Sequence, residues 1–77
     1  MTESEWLDIF SNNLIELIRD RGYTQADLAE DTGLSEATIS AYINKRRIPK
    51  VTTLLNLALV LDCELEDLTG YVDRIEF

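Results

Sequence analysis

A chain of 77 residues, 45% of them apolar, has material for one small domain whose core is marginal without good packing or association. Fifteen acidic against seven basic residues give a net charge of −8, which disfavours a polyanionic partner unless the cations are gathered in one place. A lone Cys excludes an internal disulfide, and with no signal-like leader and no apolar run of about 20 residues the expectation is a cytoplasmic protein without membrane contact.

The first predicted helix opens at Thr2, whose pairing with Glu5 has the spacing of a capping box, with Met1 and Trp6 at the positions of a hydrophobic staple. Leu7, Phe10, Leu14, Leu17 and Ile18 then recur at helical spacing as far as Arg21-Gly22. A second helix starts at Thr24, capped reciprocally by Asp27, with Tyr23 and Leu28 as its staple and Leu28 and Ala29 facing inward. Gly33 suits the left-handed residue that stops it near Asp31 or Thr32. Ser35 caps the third helix at once, Leu34 and Ile39 repeat the staple, and Ile39, Tyr42 and Ile43 form the apolar face. The opposite face, Glu36, Ala37, Ser40, Ala41 and Asn44, is short and polar and fits a groove better than a core.

The run Lys45-Arg46-Arg47-Ile48-Pro49-Lys50 follows and holds four of the seven basic residues. The segment from Arg19 to Lys50 has six basic and five acidic residues, net +1, while the flanks carry −4 before it and −5 after it. A charge run is most often a solvated surface, but a basic run at this place in an acidic chain favours a binding role. A fourth helix spans Leu54 to Leu61, a short fifth spans Glu64 to Leu68, and Gly70 ends it. Cys63, beside Leu61 and Leu65, is expected to be a small buried hydrophobe. In the tail, residues 71–77, Tyr71, Asp73, Ile75 and Phe77 alternate with Val72, Arg74 and Glu76 as in a short strand. Such a strand would pair with a second copy, as the helix 5 surface also could, or else the tail packs back on Trp6.

Thr24 to Asn44, with Gln25, Ala29, Gly33, Ile39 and Tyr42 in their places, resembles the lambda-repressor-like helix-turn-helix family, also called the Xre family, of phage and bacterial regulators. Leu14 and Leu17 before the motif, Pro49 after it and Leu54-Leu55-x-Leu57-Ala58-x-x-Leu61 extend the resemblance from Leu14 to Leu68. It implies an all-α, five-helix DNA-binding domain covering residues 1–77, with the helix-turn-helix at 25–44. Helix 1 begins earlier than in the family, so Trp6 and Leu7 are left to cover the C-terminal segment or meet a partner. Lys45 stands where a Gly commonly follows the recognition helix, with Asn44 able to supply the left-handed conformation. Lys50 stands where a Ser or Thr often caps helix 4.

The implied function is that of a sequence-specific regulator of double-stranded DNA, a repressor by expectation, working as a homodimer on a palindromic site. Glu36, Ala37, Ser40 and Ala41 would meet base edges: Glu36 accepting from cytosine or rejecting other sequences, an Ala methyl against thymine, the Ser40 hydroxyl bonding several edges. Thr24, Gln25, Thr38, Asn44, Lys45, Arg46 and Arg47 are the phosphate candidates, with Thr38 and Asn44 equally able to be satisfied within the protein. The competing reading is a small acidic helix-turn-helix protein that binds a protein, as an antirepressor or antitoxin does, supported by the acidic flanks and Trp6. No enzyme is expected: there is no His, the Cys is solitary, and no phosphate loop, catalytic residue, metal site or cofactor site is evident. Glu64, Glu66 and Asp67 read as acids favoured by a helix N-terminus.

Overall fold

The computed structural model describes residues 1–70; the predicted C-terminal strand of residues 71–77 lies outside the described residues. Five helices follow one another: α1 (Glu3–Asp20), α2 (Gln25–Thr32), α3 (Glu36–Ile43), α4 (Val51–Val60) and α5 (Leu65–Thr69). The fold is all-α, as the periodicity predicts, and α5 begins one residue later than expected because Glu64 serves as its N-cap.

The helix starts follow from their caps. In α1 the Thr2 hydroxyl accepts from the Glu5 N–H at 3.1 Å while the Glu5 carboxylate accepts from the Thr2 N–H at 3.3 Å. Thr24 and Asp27 repeat this at α2, at 3.0 and 3.2 Å, and Ser35 accepts from the Thr38 N–H at 3.1 Å at α3. Lys50 offers no side-chain cap to α4. The stop between α2 and α3 favours glycine: Gly33 lies at φ 78°, where a Cβ is strained. Gly70 is doubly constrained, by φ 74° and because an added Cβ would lie 3.0 Å from Ile9 Cγ2 on α1.

Phe10, Leu14, Leu28, Ile39, Leu57, Leu61 and Leu68 have no solvent exposure and bring all five helices to one core. Each such side chain contributes about 1.5–3 kcal/mol by burial, in a domain whose net stability is of order 5–15 kcal/mol, so few of them are dispensable. The early turns of α1 belong to this core. Leu7 is buried, and Trp6 is half-buried, its ring stacked on Phe10 at a centroid distance of 5.3 Å and an interplanar angle of 9°. Trp6 is therefore a packing residue rather than an exposed extension, while Met1, its expected staple partner, stays 69% exposed.

Polar side chains fasten the helices together. Ser11, buried on α1, donates to the Tyr42 carbonyl at the end of α3 at 2.6 Å. Asn13 donates to the Leu68 carbonyl of α5 at 3.0 Å, and Asn56 of α4 to the Thr32 carbonyl of α2 at 2.8 Å. Arg21 reaches past the end of α1 to the carbonyls of Leu61 and Asp62, at 2.8 and 3.1 Å. Each tie gives a carbonyl at or just past a helix end a side-chain donor from another part of the chain. Cys63 is half-buried rather than buried; burial pushes its thiol above the ordinary range and neighbouring Asp67 adds to this, so it stays protonated at neutral pH.

Candidate nucleic-acid interface

The two helices of the motif are set by α1. Ile39 is fully buried, and the Tyr42 ring meets Phe10 edge-on at 5.9 Å and 78°, so α3 is held by its apolar face. That leaves Glu36 and Ala37 exposed and Ser40 and Ala41 half-exposed on the other side, as the sequence predicts. The face is not uniformly free to make new bonds. Asn44 donates to the Ser40 carbonyl at 2.9 Å and to the Ser40 hydroxyl at 3.1 Å, and Thr38 shares a 2.9 Å hydrogen bond with Ser35. Both residues for which internal satisfaction was the alternative to phosphate contact do bond within the protein. The Ser40 hydroxyl keeps its proton for an outside acceptor, and Glu36 makes no bond among the described residues.

The end of α3 differs from the expectation in one residue. Asn44 lies at φ −92°, in ordinary territory, and Lys45 takes the left-handed position at φ 61°. The reason is a Schellman closure. The Arg46 N–H returns to the Ala41 carbonyl at 2.8 Å and the Lys45 N–H to the Tyr42 carbonyl at 3.3 Å, a pattern that places the left-handed residue after the cap. Lys45 thus fills the glycine position itself and turns its ammonium to Asp8 on α1, 3.1 Å away. No carboxylate of the described residues lies within 4.0 Å of Arg46, Arg47 or Lys50.

Two grooves flank α3. One, of 380 Å³, is lined by Gln25 at the start of α2 together with Arg19, Tyr23 and Ile43. The other, of 530 Å³, is lined by Thr38, Tyr42, Arg47, Ile48 and Lys50 among others. The structure therefore brings Thr38 and Arg47 to one side of α3 and Gln25 to another. It adds two cations that the sequence reading left off the phosphate candidates: Arg19 beside Gln25, and Lys50 beside Arg47. The signal for Lys50 was its place in the basic run; Arg19 had none, because its position depends on where α1 ends relative to α2. Tyr23 donates to Asp31 at 3.1 Å, which raises its phenol above the ordinary range and ties the start of α2 to its last turn.

Among the described residues no helix is long and apolar enough to cross a membrane, and no group of potential metal ligands occurs. Comparison with known proteins agrees with this geometry. The fold is similar to that of an HTH_3 family transcriptional regulator from Vibrio cholerae, with a TM-score of 0.85 at 22% identity over 95% of this chain. This chain spans only 41% of that protein's length. It is also similar to the restriction-modification controller protein C.AhdI from Aeromonas hydrophila, with a TM-score of 0.77 at 31% identity, covering 80% of this chain and 94% of the other. No curated protein matches the chain significantly. The model of the Cro/C1-type HTH DNA-binding domain matches residues 13–74, so the chain belongs to that family, one of DNA-binding transcriptional regulators and not of enzymes.

Proposed function

We propose that this chain is a repressor that reads a palindromic site on double-stranded DNA as a homodimer in the cytoplasm, with α3 in the major groove. The observation that carries the reading is the exposed face of Glu36, Ala37, Ser40 and Ala41 ending in a loop whose Arg46 and Arg47 have no described carboxylate beside them. Base contacts from four such short side chains are sparse, so register comes from phosphates. Arg46, Arg47 and Lys45 supply charge after α3, and Thr24 and Gln25 lie at the N-terminus of α2, which favours an anion. Thr38 and Asn44 act at one remove, Asn44 by orienting the Ser40 hydroxyl. The similarity to a controller protein is in keeping with a regulatory role of this kind.

The competing reading, a partner protein bound by the acidic surface, loses one support because Trp6 is stacked into the core. Selection from a randomised duplex pool separates the two. An enriched palindrome is expected, and no enrichment by folded protein would move the function to a protein partner. On the selected site, Arg46→Ala is expected to weaken binding uniformly and to lower the salt slope by about one unit; an unchanged slope would falsify its phosphate contact. Glu36→Gln is expected to change the preferred sequence more than the affinity, which repeating the selection with the variant measures.

A further inference from the structure

Helix α4 carries an apolar stripe that nothing in the domain covers. Leu54, Leu57 and Ala58 are buried in the core, yet Val51, Leu55 and Leu59, spaced four apart on an adjoining face, are 68%, 51% and 80% exposed. From Val51 to Val60 there is no charged residue, whereas α1, α2, α3 and α5 each carry acids in the first turn. A contiguous exposed row of large aliphatic side chains is the mark of a surface that a partner covers.

We propose that a second copy of this chain covers the stripe, with the two α4 helices crossing antiparallel about a twofold axis near Leu55. The charge pattern selects this occupant. Two chains of net charge −8 repel wherever their acidic helix starts face one another, and the Val51, Leu55 and Leu59 face is where self-contact brings no like charges together. The ends of the stripe are complementary as well. A twofold axis is isologous, so Val51 of one copy lies by Leu59 of the other and Leu55 meets its own symmetry mate. The same operation carries Lys50, just before α4, toward the other copy's Asp62, just after it, and does so at both ends. Antiparallel pairing also sets the negative end of each helix dipole by the positive end of the other.

The inference deepens the dimer of the proposed function, and it is tested without DNA so that either can fail alone. In sedimentation equilibrium, the full chain is expected to dimerise and Leu55→Glu to raise the dissociation constant by at least about tenfold with the helical circular dichroism unchanged. Lys50→Glu is expected to weaken the dimer and the added change Asp62→Lys to restore it, a rescue that simple loss of apolar surface does not produce. If Leu55→Glu loses helicity, the milder Leu59→Ser, at the most exposed position of the stripe, decides instead. A wild-type chain that stays monomeric at hundreds of micromolar overturns the proposal. So does a dimer indifferent to Leu55 and Leu59 changes, which would return the interface to α5 or the tail.

Discussion

At the end of α3, Lys45 sits at φ 61° while the N–H of the next residue returns 2.8 Å to the Ala41 carbonyl; at the end of α4, Asp62 sits at φ 51° while the Cys63 N–H returns 3.0 Å to the Ala58 carbonyl. The two closures are the same Schellman turn, which Gly22 also makes after α1, at φ 69°. Both are braced from α1, the first by Ser11 on the Tyr42 carbonyl and the second by Arg21 on the carbonyls of Leu61 and Asp62. They differ in what stands at the left-handed position. Asp tolerates that conformation because its short side chain bonds locally, whereas Lys gains nothing there and bears the steric cost. Backbone strain of this kind persists where the side chain has a use, and Lys45 is the first cation of the loop that follows the proposed recognition helix.

The braces are the place to break the comparison. Ser11 is wholly buried, so Ser11→Ala removes a 2.6 Å hydrogen bond from a carbonyl that water cannot reach and is expected to cost about 1–2 kcal/mol. That corresponds to a fall of several degrees in Tm for a domain of this size. Arg21 is itself exposed, and so is Asp62, one of its two acceptors, so water can take the place of its guanidinium and Arg21→Ala is expected to cost about 1 kcal/mol or less. Urea melts of both variants measure the order; equal losses would mean that burial does not distinguish the two braces.

The left-handed residues sharpen it. Lys45→Gly relieves about 1–2 kcal/mol of strain and gives back about 0.4–1 kcal/mol through the more flexible unfolded chain, for a net gain of about 0.5 kcal/mol. Asp62→Gly starts from less strain and is expected to change stability by less than this. On DNA the order reverses. At protein concentrations where the dimer is complete, Lys45→Gly is expected to weaken binding and lower the salt slope by about one, and Asp62→Gly to leave the slope unchanged. A Lys45→Gly protein that is more stable and binds DNA as well as the wild type would show that the strain at this position serves no contact.

How legible these features were in the sequence follows the range of the interactions. Caps act within four residues, so Thr2, Thr24 and Ser35 gave the starts of α1, α2 and α3 directly, and Gly33 and Gly70 gave two of the stops. Propensity alone points to Asn44 as the left-handed residue after α3, because Asn adopts that conformation more readily than Lys; the two backbone bonds to Ala41 and Tyr42 fix it one residue later. Trp6 looks like an extension beyond the core because nothing local shows that it stacks on Phe10. The exposed stripe of α4 was hidden in a run of apolar residues where buried and exposed positions have the same chemistry. Ser11, Asn13, Asn56 and Arg21 were silent because their partners lie 24 to 55 residues away.

The smallest expected effect concerns what Lys45 touches now. Its ammonium is 3.1 Å from Asp8, with the two side chains 45% and 56% exposed, and a pair so open to water is worth about 0–1 kcal/mol. A phosphate that takes Lys45 must displace Asp8, so Asp8 acts as a weak competitor supplied by α1. Asp8→Asn is therefore expected to tighten DNA binding by up to about fivefold, the equivalent of 1 kcal/mol. Removing any acid from a chain of net charge −8 lowers its repulsion from DNA, so the variant needs a control that changes the same charge elsewhere. Glu16→Gln serves, since Glu16 is exposed on α1 and has no cation within 4.0 Å among the described residues. If Asp8→Asn gains more than Glu16→Gln in titrations at several salt concentrations, the excess measures the competition for Lys45. If Lys45→Gly abolishes the excess, it is Lys45 that the carboxylate restrains, and equal gains would reduce Asp8 to one part of the general acidity.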